Sequence, residues 1–141
     1  MGDFNIKAFV GMTGEDVAAK FLEQNGYTVI ERNYRSGHCE IDVIARDEQF
    51  LVFVEVKTRS CLYPESGDFG VPGRAVDEKK RGNTVNAVRS YLARNHVTKQ
   101  PRIDVIEVYM LEDKNEFKIP RILRINHIRN AFSSRGRKNH C

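Results

Sequence analysis

Two apolar runs separated by three polar residues constrain this chain more than any other feature. Cys39, Ile41, Val43 and Ala45 alternate with Glu40, Asp42, Ile44 and Arg46, and after Asp47-Glu48-Gln49 comes Phe50-Leu51-Val52-Phe53-Val54-Glu55-Val56-Lys57. This pattern predicts an antiparallel hairpin whose second strand is covered on both faces. Most charges on strands face water, yet Asp42, Glu55 and Lys57 are embedded in the runs. An acid so placed must be paired, hydrogen-bonded or bound to a metal, because an unpaired buried charge is very costly. With the turn centred on Glu48-Gln49, Asp47 pairs with Phe50, and counting outward sets Asp42 opposite Glu55, with Lys57 two residues on and sharing their face. Opposed like charges destabilise a sheet unless something positive lies between them. A divalent cation answers that need, and hard carboxylate oxygens suit Mg²⁺ or Mn²⁺. The competing reading is an ion network in which Lys57 neutralises both acids and no metal binds. A lone Glu-x-Lys triplet is weak; an acid in one apolar strand, Glu-x-Lys in the next, the tight turn and an acid near the N-terminal helix together favour the site.

The segments around the hairpin carry clear periods. Residues 13–26 read as a helix with Val17, Ala18, Phe21 and Leu22 as its buried stripe, Thr13 as N-cap and Gly26 as the stop. Residues 27–32 are a short strand, with a turn over 33–38. Residues 59–73 hold Pro64, Gly67, Gly70, Pro72 and Gly73 without a regular period, which predicts a long surface connection. Residues 75–95 are helical around Val85, Val88 and Leu92, and 102–110 are strand-like. Residues 117–128, interrupted by Pro120, allow either an edge strand or a short helix. Helix, short strand, two strands, helix and one or two strands make an α/β chain: a mixed sheet flanked by helices.

With 141 residues, the chain suits a single domain, placed at 1–132, followed by a basic tail at 133–141. No apolar run approaches the roughly 18 residues of a membrane span, and the start lacks the pattern of a secretory signal, so no membrane partner and a cytoplasmic setting are expected. Cys39, Cys61 and Cys141 are odd in number and form no CxxC pair, which argues against a disulfide framework and against structural zinc. The net charge of +4 is uneven: residues 117–141 contain seven basic residues and no acidic one. Such asymmetry suggests a polyanion, although a solvated tail would carry the same charges. Arg35, Arg59, Arg74, Lys79, Lys80 and Arg81 are the other candidates for phosphate contacts. His38, His96, His127 and His140 are too dispersed for a ligand motif and read as surface residues. No GxxxxGK loop, GxSxG elbow or HExxH pair occurs.

The segment Glu40 to Arg59, EIDVIARDEQFLVFVEVKTR, resembles the PD-(D/E)xK nuclease motif, and more closely the YraN-like family of predicted bacterial endonucleases. Further matches are Gly14-Glu15 with Ala18-Ala19 and Leu22, Asn33-Tyr34-Arg35, Ala75-Val76 with Lys79, Tyr91-Leu92, and Arg102-Ile103-Asp104-Val105, so the resemblance runs to about Val108. It implies a restriction-endonuclease-like fold similar to archaeal Holliday-junction resolvases. It carries Asp42 and Glu55 over as the motif acids, Lys57 as the motif lysine, and Glu15 as the helix acid completing a Mg²⁺ (or Mn²⁺) site. Glu15 has an equally good alternative role as an early-helix acid complementing the macrodipole. Met12-Thr13-Gly14 stands where basic residues are expected and Cys39 where glycine is usual.

The expected activity is metal-dependent hydrolysis of phosphodiesters, structure-selective on DNA, with a homodimer admitted by analogy to resolvases. Two other classes compete with it. One is a non-catalytic nucleic-acid-binding module of the same fold; the other is a protein-interaction domain using Phe69, Phe132 and the Arg-rich end.

Overall fold

The computed structural model describes residues 13–61, 78–111 and 121–132. In chain order the elements are α1 (Gly14–Gln24), β1 (Thr28–Ser36), β2 (Cys39–Arg46), β3 (Phe50–Cys61), α2 (Glu78–Arg94), β4 (Gln100–Leu111) and β5 (Arg121–Ile128). The strands form one five-stranded sheet in the order β1-β2-β3-β4-β5. Only β3 and β4 are parallel; the other neighbours are antiparallel. A parallel pair needs a crossover, and α2 lies within it. The chain is therefore an α/β fold with a mixed sheet flanked by helices, as the pattern predicts.

The continuous apolar run of β3 is explained by the helices on either side. Val52 and Val54 join Val17, Ala18 and Leu22 of α1 in one core cluster, while Leu51 and Phe53 join Val85, Ala87 and Val88 of α2 in another. Alternate residues of one strand project to opposite faces, so α1 and α2 cover opposite sides of the sheet.

The hairpin turn is built by Asp47. Its N–H donates to the Phe50 carbonyl at 3.1 Å, and its Oδ1 accepts from the N–H groups of Gln49 and Phe50 at 2.8 and 2.6 Å. At the start of α1 the Thr13 hydroxyl accepts from the Asp16 N–H at 3.2 Å, and past its end Gly26 takes φ +88°, a left-handed conformation in which glycine escapes Cβ strain.

The elements depart from the sequence reading in places. β1 runs four residues past the expected end at 32, because Asn33 adopts φ 54° and pairing with β2 resumes at Tyr34 and Ile41. That leaves only Gly37 and His38 for the turn. β3 continues to Cys61, into the expected connection, whose residues 62–73 lie outside those described, as do 75–77 of the expected second helix and the tail at 133–141. The segment left open between strand and helix is an edge strand, β5, which starts directly after Pro120. His127, expected at the surface, has a side chain only 8% exposed, because it packs edge-on against Phe21 and Tyr27. Cys39 is buried and disulfide-bonded, its partner cysteine lying outside the described side chains; one bridge is formed where none was expected. Among the described residues no helix is long and apolar enough to cross a membrane.

Candidate active site

The site begins where the β2–β3 ladder stops. Pairing runs from Arg46 and Leu51 to Val43 and Val54, and one further step would set Asp42 level with Glu55, the register counted from the sequence. Beyond Val43, β2 stays paired with β1 as far as Cys39 but no longer with β3. There the Val56 N–H donates instead to Asp42 Oδ2 at 2.8 Å. A side-chain carboxylate thus takes the place of a ladder carbonyl, and the two strands part around it. Alternation also breaks here: Ile41 and Ile44 both belong to the cluster against α2, and Val43 to the cluster against α1.

β3 supplies the next two groups. It is the central strand, paired with β4 along its whole length, so its side chains are held rigidly. Glu55 is 2% exposed and Asp42 8%, which makes both carboxyls buried, as the apolar surroundings predict. Lys57 is half-buried and makes no ion pair or hydrogen bond with either acid among the described residues.

α1 brings the third acid. A Cβ on Gly14 would collide with the Thr58 hydroxyl, so the first helical residue sits directly on β3, one position beyond Lys57. The two acids of the first turn then behave differently. Asp16 is held below the ordinary carboxylate range, first by its hydrogen bond from Arg32, 2.8 Å away, and by that from Thr13. Glu15 is pushed up, first by burial and next by the negative charge of Asp42, with Glu40 and Asp16 adding and Arg32 opposing. Its Oε1 is enclosed without a hydrogen-bond partner. An acid serving the helix dipole alone would be pulled down, so that role belongs to Asp16. Glu40 is turned elsewhere, its Oε2 lying 3.5 Å from Arg35 Nε.

Among the described residues no group of three or more Asp, Glu, His or Cys stands close enough to hold a metal unaided. The donor set nevertheless fits a hard divalent cation, since Mg²⁺ is commonly bound by one or two carboxylates and keeps several waters. Asp42 and Glu55 would be those carboxylates, with Glu15 near enough to Asp42 to feel its charge.

Among the described residues, Arg35, Arg59 and Arg81 are the phosphate candidates whose side chains can be placed. Arg35 pairs with Glu40, and Arg81 lies 5.5 Å over the Phe132 ring. Lys79 and Lys80 fall in the first turn of α2, but their side chains, like the whole of Arg74, lie outside the described residues. Arg59 lies on β3 two residues past Lys57, and its Nε donates to Glu107 Oε2 at 3.0 Å.

Two buried acids of β4 escaped the sequence reading. Glu107 is 1% exposed, level with Lys57 in the parallel register, and accepts from Asn126 Nδ2 at 2.9 Å. Asp104, wholly buried, accepts from Arg102 through both oxygens at 2.9 Å, from the Asn130 N–H at 2.9 Å, and lies 2.7 Å from His127 Nε2. Arg102 also donates to the Tyr27 hydroxyl at 2.7 Å and lies 4.6 Å over the Phe50 ring. Asp104 sits at the centre of a satisfied structural network. Both acids stand in an apolar run, Ile103 to Val108, by the same signal that singled out Asp42 and Glu55.

Residues 14–108 match the model of a family described as uncharacterised protein family UPF0102. Among curated relatives, a UPF0102 protein of Caldanaerobacter subterraneus is 40% identical over 127 residues, covering 89% of this chain and 96% of the relative. One from Clostridioides difficile is 42% identical, covering 86% and 95%, and one from Flavobacterium psychrophilum 39%, covering 87% and 92%.

Proposed function

The chain belongs to the uncharacterised UPF0102, or YraN-like, family, and we propose, from its own residues, that it is a metal-dependent endonuclease that hydrolyses phosphodiesters of DNA. The observation that carries this reading is the two buried carboxyls where the pairing of β2 and β3 ends, Asp42 on β2 and Glu55 on β3, with Lys57 two residues past Glu55. Carboxylate oxygens are hard donors of the kind Mg²⁺ takes, one or two at a time, beside its waters and substrate phosphate.

Asp42 and Glu55, with Glu15 adjoining, would hold Mg²⁺ or Mn²⁺, which supplies Lewis-acid polarisation of the phosphate and a lowered pKa for a bound water. The hydrogen bond from the Val56 N–H fixes the Asp42 carboxylate before substrate arrives. Lys57 orients the attacking water and stabilises the charge that grows on the phosphate oxygens. Contacts to phosphates read no sequence, so this reading carries no base preference, and the shape of DNA preferred is left to the panel below.

The test is cleavage of a labelled panel of four-way junction, flap, single strand, duplex DNA and RNA with Mg²⁺ or Mn²⁺, against chelator and Lys57→Ala. Loss of one transition-state contact of this kind lowers kcat by roughly 10²–10³. The expected result is metal-dependent cutting that disappears in the variant while its thermal unfolding is unchanged. Salt-sensitive binding without cleavage by the folded wild type would replace this reading with a non-catalytic binding module.

A further inference from the structure

Three rows of side chains cross β3, β4 and β5 on the face that bears Glu55. The registers set Lys57 level with Glu107 and Glu107 with Asn126; one step further, Arg59 is level with Tyr109 and Tyr109 with Arg124. Laterally paired residues share a face, and so do residues two apart on one strand. The contacts agree: Arg59 reaches Glu107, Asn126 reaches Glu107, and the Arg124 guanidinium lies 4.4 Å over the Tyr109 ring. Rows two residues apart are separated by roughly 6.5 Å, so the arginine row begins one such step from Lys57.

Among the described residues Arg59 is anchored by Glu107 alone. Its Nε and Nη2 both lie 3.0 Å from Glu107 Oε2, yet only Nε makes a hydrogen bond, and Nη2 is enclosed without an acceptor. A guanidinium has five N–H donors, and among the described residues this one uses a single donor. An enclosed donor left unmet is costly, and a planar fork of that kind matches the oxygens of a phosphate. Arg124, exposed and laid flat on a fully buried tyrosine, borders the same row from β5.

We propose that the row Arg59–Tyr109–Arg124 is a second phosphate subsite, taking the phosphodiester next to the one cut, with Glu107 and Asn126 as the residues that position Arg59. The inference rests on the nuclease reading and deepens it: the substrate is a polynucleotide strand spanning two consecutive phosphates, and an isolated phosphodiester lacks half of the binding.

Binding of a labelled single-stranded DNA oligonucleotide in chelator, followed by anisotropy across a salt series, tests this apart from catalysis. For single strands each phosphate contact contributes about 0.7 to the slope of log affinity against log salt. Arg124→Gln and Arg59→Gln are each expected to lower the slope by about that amount, whereas Arg59→Lys keeps it while weakening binding. Arg94→Gln, an exposed charge at the end of α2, leaves it unchanged. Thermal unfolding accompanies each variant; should Arg59→Gln fail to fold with Glu107 stranded, exposed Arg124 still decides. Wild-type slopes in both Arg124→Gln and Arg59→Lys, together with wild-type affinity, would overturn the subsite and leave the nuclease reading standing. A wild type that neither binds nor cuts any member of the panel would overturn both.

Discussion

Asp104 shows what a single side chain contributes to this sheet. Burial alone would raise its pKa, but hydrogen bonds from His127, Arg102 and the Asn130 N–H, with the charge of Arg102, outweigh that and hold it below its ordinary value of 3.8. The unfolded chain therefore binds more protons in that acid window, and stability rises with pH there. Asp104's contribution is fully present above about pH 4–5 and is lost as pH falls through the depressed folded value. Asp104→Asn leaves Arg102 and His127 facing a neutral amide, and breaking a buried pair of this kind costs about 3–5 kcal/mol. Urea unfolding at pH 7 and at descending pH should show that loss and a shallower acid limb in the variant; an acid limb identical to wild type would show that Asp104 does not carry it. Such residues were legible by type but not by partner. An acid inside Ile103 to Val108 advertises that something must answer it, whereas the answer comes from Arg102 two residues back, His127 on β5 and a loop N–H at Asn130. His127 was misjudged for the same reason: its aromatic neighbours come from the end of α1 and the residue before β1.

At the scale of elements, α1 is placed by its first residue. Gly14 in a helix ordinarily loses up to about 1 kcal/mol to alanine, so Gly14→Ala on an open surface would stabilise. Here the added methyl meets the side chain of Thr58, and overpacking typically costs about 1–3 kcal/mol. Gly14→Ala is expected to destabilise, and Thr58→Ala in the same chain to recover part of the loss, a coupling that a double-mutant cycle reads directly. Additive effects would show that the helix does not seat on β3 as described. Because Glu15 follows Gly14, the single variant should also lower cleavage by more than its stability loss explains. Periodicity made the elements themselves plain, and Asp47 fixed the hairpin register through its turn hydrogen bonds. The helix start was equally readable from Thr13, but not its seat on Thr58, which is a contact between segments 44 residues apart in number. β1 outran its expected end because Asn33 tolerates a positive φ that would stop most residues, and β5 could be settled only by the partner strand that holds it.

For the whole molecule, the topology gathers like charges. α1 and β2 bring Glu15 within the influence of the Asp42 charge, and β3 buries Glu55 one step past the end of its pairing with β2. The level of Asp42 with Glu55 is what counting across one hairpin predicts, one step past the observed pairing; the approach of Glu15 to Asp42, and the level of Glu107 beside Lys57, depend on helix seating and on a parallel register set through the α2 crossover, which no local pattern encodes. Repulsion at such a site is stability given up by the apo protein. Neutralising one member should restore some of it, so Glu15→Gln is expected to melt a few degrees above wild type in chelator. A cation that binds only the folded state adds about 2.7 kcal/mol at one hundred times its Kd, so Mg²⁺ should raise the wild-type melting temperature, and raise that of Glu15→Gln by less. Calorimetry in chelator and in a Mg²⁺ series reads both effects. If the variant melts no higher than wild type in chelator and Mg²⁺ shifts neither protein, the three carboxyls do not act as one charged centre, and the strand parting at Asp42 serves folding alone.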